Sequence, residues 1–585
     1  MKRTFKRSKN FGKKVSAKLR EKKYVFLGKR LKLGFKAIPG RKYILLHIDG
    51  LPYDVLKYAL EKKKFPTIKK LLNKEGYKLS KWNPGFPTGT PIMQSGFFYG
   101  DQSKIPSYKY ILKKENRSIN FGNPLDCRYI EEKYFSNIPG SLEGGSSYGN
   151  IFSGGAEHST FTLSTLFKSS KKKRLKEAKH FLLLFANPFV FFKVLFYSFR
   201  ELIIEIFESL FDPIYHLITG KVINFSPVLT SSYRFFLNGL MRELQTIGCI
   251  IDMKRGMPGI YSIFPVYDKM AHHRGRMSRS AIWALKSLDR NIKKIYKNKP
   301  DDYDLYIISD HGETPSLPFE LLYGQSLPEF IKSCIVDKKI IKNIKQPEND
   351  EITRLRIISK NLNEFKRKLK RPFRILLYPI LKIFTKASLG LEKKININKK
   401  SDIVLLITCS MAQVYFGKSK NYLKYRTIEK LFPNLIKKLL FHPGIGIIIM
   451  RYKNGRIILH KDGSIFITKN KIEKTGENFL KNFGNDKKLL RMLKDMVWIP
   501  DNGDMVILGN YENGRVISFN TDLATHFSLG GPQHEPIFIT NRNIDLSKIK
   551  NAAQLYPIFR SYVDLEHKTA PLRKKAKKFR KNKKN

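Results

Sequence analysis

The chain has 585 residues, enough to bury a large core and to form more than one lobe. Lys and Arg number 111 against 49 Asp and Glu, so the formal net charge is +62. A charge this large predicts attraction to polyanions, which include nucleic acid, anionic lipid and a phosphorylated substrate. The hydrophobic fraction of 42% is ordinary for a globular protein.

Both ends of the chain are rich in Lys and Arg. Residues 1–40 are expected to form a flexible basic arm, and residues 570–585 a basic C-terminal tail. Solvated tails are the simpler interpretation, and an electrostatic contact with an anionic membrane or nucleic acid is the alternative. No nucleic-acid-binding motif supports the second of these partners, and the sequence does not define the oligomeric state.

Three features bear on the compartment. The four cysteines lie far apart, at Cys127, Cys249, Cys334 and Cys409, and form no CxxC pair. This pattern disfavours a disulfide framework and predicts a reducing compartment. The basic N-terminus is followed by no apolar segment and is not expected to be a signal peptide. We therefore expect a cytoplasmic protein, and peripheral attachment to a membrane remains open.

Continuous apolar runs that end in an acidic residue are the main structural signal. They are KYILLHID at 42–49, GIYSIFPVYD at 259–268 and YDLYIISD at 303–310. Such runs are typical of buried parallel strands, and functional residues often lie at the carboxyl ends of those strands.

The segments between these runs have helical spacing. Residues 54–77 are helical in pattern with an interruption at Pro66, and residues 278–298 form a good amphipathic helix. DIVLLITCS (402–410) and GIGIIIMRY (444–452) repeat the strand pattern, with a helical segment at 425–441 between them. The predicted fold is α/β, with a mostly parallel central sheet flanked by helices.

Two regions depart from this alternation and divide the predicted catalytic domain into three parts, 41–169, 246–334 and 401–569. Residues 335–400 are expected to be a basic insert. Residues 170–245 are expected to be an apolar helical insert, whose apolar run 181–192 contains Pro188 and is too short to span a membrane. A buried or partner-facing helix, a membrane-surface element and a true span all remain open for this insert.

Five short segments supply groups that ligate metals or attack phosphorus. Together they contribute three carboxylates, three imidazoles and one hydroxyl, which are the groups that a two-metal phosphoryl-transfer site needs. These candidate site residues are Asp49, Thr90, Asp268, His272, Asp310, His311 and His526.

Thr90 lies in the segment NPGFPTGTPIMQSGFFYG. Thr is a favoured N-cap residue and Pro91 suits the first helical position, so we expect a helix from Pro91 to Tyr99 with the Thr90 hydroxyl at its N-terminus. The free N–H groups and the positive dipole end there favour a bound phosphate. A purely structural cap is the alternative interpretation.

The Asp and His motifs have spacings that suit metal ligation. Asp310 and His311 end an apolar strand, and Gly312 permits the turn or close approach that they need. Asp268 and His272 are four residues apart, so one turn of chain brings both to one ion, with His273 as a competitor for the same role. The remaining histidines are expected to be ordinary core or surface residues; they include His47, His158, His180, His216, His442, His460 and His567.

In this order, the motifs resemble the alkaline phosphatase superfamily, and within it the type I phosphodiesterase/nucleotide pyrophosphatase group. Asp49 matches the Asp after the first strand, and Thr90 matches the nucleophile of a PTxT segment that closes with Gly100. The Asp268/His272 pair and the Asp-His-Gly motif at 310–312 follow. His526 is the best match for the late His, with His534 as its rival.

The resemblance implies two divalent metal ions. One would be held by Asp49, Asp310, His311 and the Thr90 oxygen, and the other by Asp268, His272 and His526. Mixed nitrogen and oxygen ligands favour zinc, with manganese as the alternative, over magnesium or calcium.

The resemblance also implies a metal-dependent hydrolase that cleaves a phosphodiester or pyrophosphate bond through a phosphothreonine at Thr90. A phosphomonoesterase or phosphotransferase with the same core is the nearest alternative. A catalytically silent basic protein that binds an anionic membrane or nucleic acid is the alternative from a different class. The complete ligand set favours the enzyme, and the natural substrate is left open.

Overall fold

The structure is a computed structural model that describes residues 24–26, 29, 40–166, 188–219, 234–335, 343–345, 402–417 and 419–563. The predicted basic tail and nearly all of the basic arm lie outside these residues. So do most of the 335–400 insert, residues 167–169, and the segments 170–187 and 220–233 of the apolar insert.

The described strands are numbered in chain order. They are β1 (Lys42–Ile48), β2 (Lys78–Lys81), β3 (Lys109–Leu112), β4 (Arg117–Asn120), β5 (Ser146–Tyr148), β6 (His158–Thr160), β7 (Gly259–Phe264), β8 (Tyr303–Ile308), β9 (Thr314–Pro318), β10 (Asn343–Lys345), β11 (Asp402–Thr408), β12 (Met411–Phe416), β13 (Ile445–Tyr452), β14 (Gly455–His460), β15 (Gly463–Ile467), β16 (Ile472–Gly476), β17 (Met505–Gly509), β18 (Tyr511–Glu512), β19 (Arg515–Ser518), β20 (Ala524–Thr525) and β21 (Ile537–Thr540).

The described α-helices are numbered in the same way. They are α1 (Tyr53–Glu61), α2 (Pro66–Lys74), α3 (Thr90–Tyr99), α4 (Pro124–Phe135), α5 (Pro188–Thr219), α6 (Arg242–Arg255), α7 (Val266–Arg274), α8 (Arg279–Asn298), α9 (Phe319–Tyr323), α10 (Leu327–Cys334), α11 (Tyr425–Leu431), α12 (Leu435–Leu440) and α13 (Asp486–Met496). A π-helical segment, Arg234–Met241, leads directly into α6.

The central sheet has seven strands in the order β2-β21-β8-β1-β7-β5-β6. The five strands from β8 to β6 are parallel, while β21 and β2 extend the β8 edge through antiparallel pairings. Every residue of β1, β7 and β8 is buried, as their continuous apolar sequences require. The predicted α/β fold with a mostly parallel central sheet is confirmed.

The helices near this sheet follow the sequence pattern. The helical pattern of residues 54–77 divides into α1 and α2, and α2 begins at Pro66, where Pro is best tolerated. The amphipathic segment 278–298 forms α8, with Ser278 as its N-cap. Asp289 of α8 accepts hydrogen bonds from the backbone N–H groups of Thr67 and Ile68, which fixes α2 against α8.

The strand runs at 402–410 and 444–452 do not continue the parallel sheet. They form β11 and β13 of a second, eight-stranded sheet in the order β10-β11-β12-β17-β13-β14-β15-β16, in which all pairings except β10–β11 are antiparallel. The physical reason is the connection: only Cys409 and Ser410 separate β11 from β12, and a tight turn joins antiparallel strands, whereas a parallel pair needs a long crossover.

The two sheets share one hydrophobic core. A single buried cluster contains Leu45 and Tyr306 of the central sheet together with Val404, Leu406 and Ile449 of the second sheet. A buried ion pair lies at the edge of this shared core: Lys113 Nζ lies 2.6 Å from Asp504 Oδ2. The backbone N–H groups of Phe416 and Leu423 also donate to the Asp504 carboxylate.

The described part of the apolar insert is helical, in α5 and from residue 234 into α6. No helix among the described residues has both the length and the apolar character needed to cross a bilayer.

We expect Lys113→Met to destabilise the fold by about 3 kcal/mol, because it leaves the Asp504 carboxylate buried without its cation. The double variant Lys113→Met/Asp504→Asn is expected to recover part of this loss. The measurement is urea unfolding followed by circular dichroism. Lys70→Met, which removes the exposed ion pair to Glu75, is the control and should cost about 0.5 kcal/mol or less. Equal effects at the two lysines would contradict the role given to the buried pair.

Candidate metal centre

Acidic residues follow the carboxyl ends of three neighbouring parallel strands of the central sheet. Asp49 follows the last residue of β1, and Asp310 comes two residues after β8. The strand expected to run to Asp268 is shorter than predicted, because β7 ends at Phe264 and Pro265 is the N-cap of helix α7. Asp268 therefore lies in the first turn of α7, and His272 lies one turn later on the same face.

The first group of side chains surrounds Asp49. Asp49 Oδ1 lies 3.9 Å from His311 Nε2 and accepts a hydrogen bond from Thr90 Oγ1 at 3.2 Å. His311 Nε2 lies 3.5 Å from Asp310 Oδ2. The four side chains predicted to hold the first metal therefore lie together.

The second group surrounds His272. His272 Nε2 lies 3.3 Å from Asp268 Oδ1 and 3.5 Å from Glu313 Oε1. The His526 ring lies 5.3 Å from the His272 ring and stacks on the His311 ring at 3.8 Å between centroids, so it bridges the two groups. One potential ligand atom from each of Asp268, His272, Glu313 and His526 lies within 4.8 Å of the others.

The structure thus brings all seven predicted residues into one pocket. Of the two late histidines, His526 faces this pocket, whereas His534 Nε2 donates to the backbone carbonyl of Ser528 at 3.1 Å. His273, the competitor of His272, belongs to none of the ligand groups among the described residues.

Three histidines are oriented in the same way by the backbone. His272 Nδ1 donates to the carbonyl of Ala524 at 2.8 Å, His311 Nδ1 donates to that of Gly312 at 2.9 Å, and His526 Nδ1 donates to that of Thr88. Each bond directs Nε2 of the ring into the pocket, which is the usual way in which proteins orient metal-ligating histidines.

Thr90 differs in detail from its prediction. It is the first residue of α3 and Gly89 is the N-cap, so the Thr90 hydroxyl does not cap the helix. The hydroxyl bonds to Asp49 instead, and the half-buried side chain keeps its oxygen at the positive end of α3.

Two glycines permit the close packing of these motifs. Gly50 has φ +69°, and a Cβ at this position would lie 2.9 Å from Asp268 Oδ1. A Cβ at Gly312 would lie 2.2 Å from the carbonyl oxygen of Pro532. Gly312 therefore provides the close approach that the sequence suggested, and not a left-handed turn.

Three residues that lie in or beside the pocket were not among the predicted site residues. Glu313 follows the Asp-His-Gly motif directly and belongs to the second group. Cys409 Sγ lies within 4.8 Å of ligand atoms of His272 and His526. His47 was expected to be an ordinary core histidine, but its Nε2 lies 2.9 Å from Asp310 Oδ1. A signal existed for His47, because residues 47 and 49 share one face of an extended segment.

Burial and charge act together on the carboxyl groups. Burial, reinforced by Asp268 and Asp310, raises the pKa of Asp49 well above its usual value. Burial also raises the pKa of Glu313 well above its usual value. For Asp310 the opposing effect of His311 and His47 outweighs burial and lowers the pKa.

The two histidines of the second group shift in opposite directions. Burial disfavours the charged form of His272, but Glu313 and Asp268 outweigh it and raise the pKa to about 10. Burial and the neighbouring imidazoles lower the pKa of His526 well below its usual value, so His526 is neutral.

Several buried polar atoms in the pocket have no hydrogen-bond partner. These atoms are Asp268 Oδ1, Asp310 Oδ2, His311 Nε2 and both carboxylate oxygens of Glu313. Asp268 and Asp310 each have a partner at the other oxygen, since Lys269 Nζ lies 2.9 Å from Asp268 Oδ2 and His47 Nε2 lies 2.9 Å from Asp310 Oδ1. Neither oxygen of Glu313 has a hydrogen-bond partner. Buried carboxylate oxygens without a partner are costly unless a cation compensates them. The donor set, the orientation of the histidines and these unpaired atoms therefore fit two divalent cations.

The chain is similar to several solved structures at low sequence identity. Phosphonoacetate hydrolase from Sinorhizobium meliloti 1021 has 11% identity and a TM-score of 0.38, over 90% of this chain and 97% of that chain. A mutant of the alkaline phosphatase PafA has 13% identity and a TM-score of 0.43, with the same coverage. Murine ectonucleotide pyrophosphatase/phosphodiesterase 5 has 10% identity and a TM-score of 0.41, over 90% and 95%.

At these identities and TM-scores, the matches identify no activity for this chain. The sequence matches no protein-family model and no curated protein sequence.

We expect zinc or manganese binding to release protons near pH 7. In the metal-free protein His272, with its pKa raised to about 10, holds a proton that a cation must displace, and Asp49 and Glu313 contribute in the same direction. Metal affinity should therefore rise as the pH increases towards 10. The measurement is isothermal titration calorimetry in two buffers of different ionisation enthalpy, and identical heats in both buffers would contradict the expectation.

We expect Glu313→Gln to weaken metal binding and to leave the stability of the metal-free protein nearly unchanged. Loss of the carboxylate should weaken metal binding at the second group by about ten-fold or more. The metal-free protein should melt at nearly the same temperature at pH 7, because burial raises the pKa of Glu313 and its protonated carboxyl, like a glutamine amide, carries no charge. Calorimetry and thermal melting measure the two effects.

Glu320→Gln is the matched control, because Glu320 is exposed on the helix that follows β9. Unchanged metal affinity in Glu313→Gln would remove Glu313 from the ligand set.

Proposed function

We propose that this protein is a two-metal phosphoesterase that hydrolyses a phosphodiester or pyrophosphate bond, with Thr90 as the nucleophile. One observation carries the proposal. The half-buried Thr90 hydroxyl lies at the N-terminus of α3, 3.2 Å from Asp49 Oδ1, in a pocket lined by two adjoining groups of carboxylates and imidazoles.

Two sets of residues would hold the cations. Asp49, Asp310, His311 and the Thr90 oxygen form the first set, and Asp268, His272 and His526 form the second, which Glu313 adjoins. When bound, two such cations neutralise the buried carboxylates and stabilise negative charge on the attacking and leaving oxygens of a displacement at phosphorus. Zinc fits this set of nitrogen and oxygen ligands, with manganese as the alternative.

The residues of the chain then act on the substrate as follows. The Thr90 hydroxyl donates to Asp49 Oδ1, which fixes the direction of its oxygen. The Thr90 oxygen forms a bond to phosphorus while the bond from phosphorus to the leaving oxygen breaks; the hydroxyl proton passes to solvent water, and the leaving oxygen departs with the electron pair of the broken bond. The positive end of α3 stabilises the anionic phosphoryl group. Water then cleaves the phosphothreonine, which restores the hydroxyl and releases the second product.

Hydrolysis of a monoester, or transfer to an acceptor other than water, would use the same nucleophile and ligands. Turnover of bis-p-nitrophenyl phosphate and of p-nitrophenyl phosphate, compared on one metal-loaded preparation, separates diesterase from monoesterase activity. Addition of an alcohol acceptor tests for transfer. Absence of turnover on every ester with both metals would favour the silent binding protein over the enzyme.

We expect Thr90→Ala to lower kcat for the preferred ester by at least about a thousand-fold, because the attacking oxygen is lost. Thr90→Ser should keep a measurable fraction of the activity, because the hydroxyl is retained. Ser95→Ala is the matched control on the same helix, since the Ser95 hydroxyl bonds to the Ile92 carbonyl and does not face the pocket.

Calorimetric metal binding and thermal melting of each variant show whether the fold and the ligands survive. Undiminished turnover in Thr90→Ala would overturn the assignment of the nucleophile. Trapping of ³²P on Thr90 after acid quenching of a labelled substrate tests the intermediate directly.

A further inference from the structure

Helix α5 has the reverse of the usual polarity of a surface helix. Its buried face carries Ser198, Glu201, Glu205 and Ser209. Helices of a soluble protein normally bury their apolar stripe and expose their charges. The polar inner face therefore implies that the other side of α5 meets something other than water.

Ion pairs hold the polar face inward. Arg234 Nη1 lies 2.8 Å from Glu205 Oε2, and Arg274, the last residue of α7, donates to both oxygens of Glu205 at 2.8 Å. Arg274 also bonds to Asp212 at 2.7 Å. Rolling the helix to bury its apolar face would break these pairs and strand buried charges, which is strongly unfavourable.

The outer face of α5 is apolar for about five turns. Phe196 is 66% exposed, Leu210 is 64% exposed and Phe211 is 62% exposed. The other exposed apolar residues of this face include Phe192, Phe199, Ile203, Ile206, Phe207 and Ile214. Contiguous exposed apolar surface of this extent marks an interaction site.

Helix α8 lies beside α5. Ser280 Oγ donates to Glu208 Oε2 at 2.8 Å, and the Arg200 guanidinium lies 5.7 Å from the centre of the Trp283 ring. Contacts at both points fix α8 as the neighbour of the apolar helix.

The exposed edge of α8 next to these contacts is basic. Its exposed residues include Arg279, Lys286, Arg290 and Lys293, which recur at helical spacing along one side. Asp289, the acidic residue of this helix, is buried against α2. An apolar stripe thus runs beside a positively charged one.

We propose that the outer face of α5 and the basic edge of α8 form a docking surface for an anionic phospholipid bilayer. The apolar side chains of α5 enter the boundary between headgroups and acyl chains, while the basic residues of α8 contact anionic headgroups. This combination of one apolar and one basic side is that of an interfacial helix, which lies on a membrane without crossing it.

The charge of the surface disfavours two other partners, a second copy of the chain and nucleic acid. A second copy of the chain would bring the same basic edge against itself, which opposes association of like surfaces. Nucleic acid would satisfy the basic residues and leave the phenylalanines in water. An anionic membrane matches both stripes and the net charge of +62.

The test is co-sedimentation of the full chain with phosphatidylcholine vesicles that contain or lack phosphatidylglycerol. The wild-type protein should bind the anionic vesicles, and binding should weaken as salt rises. The triple variant Phe196→Ser/Phe207→Ser/Leu210→Ser should bind at least about ten-fold more weakly, because it removes apolar side chains that enter the bilayer. Phe441→Ser is the matched control, because Phe441 is also 66% exposed but lies at the end of α12.

A second pair of variants separates charge from apolar contact. Arg290→Gln/Lys293→Gln should lose about five-fold in affinity for anionic vesicles per charge removed and should show a shallower dependence on salt. Lys437→Gln/Lys438→Gln, an exposed pair on α12, should change affinity much less.

Three results would overturn the proposal. The first is absence of wild-type binding to anionic vesicles at low salt. The second is equal binding by the triple variant and by Phe441→Ser. The third is a large fall in melting temperature of the triple variant without a change in vesicle binding, which would show that the face packs inside the folded protein. A concentration-dependent dimer in analytical ultracentrifugation that the triple variant abolishes would assign the face to a second copy instead.

Discussion

Four carboxylates buried in one pocket impose the main constraint on this fold. Asp49, Asp268, Asp310 and Glu313 lie close together and away from water. Two like charges about 4 Å apart repel by about 4 kcal/mol at an effective dielectric near 20, so the pocket is expensive unless positive charge enters it. The parallel sheet holds the acids in place despite this repulsion, because three adjacent buried strands fix the positions at which the acidic residues follow them. The surrounding imidazoles offset part of the repulsion, and cations would offset the rest.

The sequence carried enough information to locate the pocket, because an apolar run that ends in an acid reports both a buried parallel strand and the edge at which it ends. Asp49 and Asp310 were found in this way. The same signal could not show that the chain forms two sheets. β11 and β13 have the same apolar character as β1, and only the two-residue turn after β11 indicates antiparallel pairing. Thr90 was expected to cap α3, but Asp49 competes for its hydroxyl, and that competition exists only once the chain has folded.

Glu313 shows a different limit. A single carboxylate after a recognised motif has many ordinary explanations, and only its complete burial beside His272 distinguishes it. His47 was passed over for a related reason, since a histidine inside an apolar strand is usually a packed core residue. The sequence of helix α5 allowed three interpretations, because it contains both apolar and charged residues and does not show which side of the helix is buried. Its charged side was found to face inward only through the positions of Arg234 and Arg274.

Arg274 links the helix that carries two site residues to the apolar helix α5. It ends the helix that carries Asp268 and His272, and its guanidinium is held by Glu205 and Asp212 of α5. Any ligand that repositions α5 therefore also acts on the geometry of α7. Thermodynamic reciprocity then applies: whatever factor a contact at α5 exerts on cation affinity, cation loading exerts the same factor on that contact. Occupancy of the surface helix and occupancy of the buried pocket would then be coupled, and Arg274 is a direct contact through which the coupling would act.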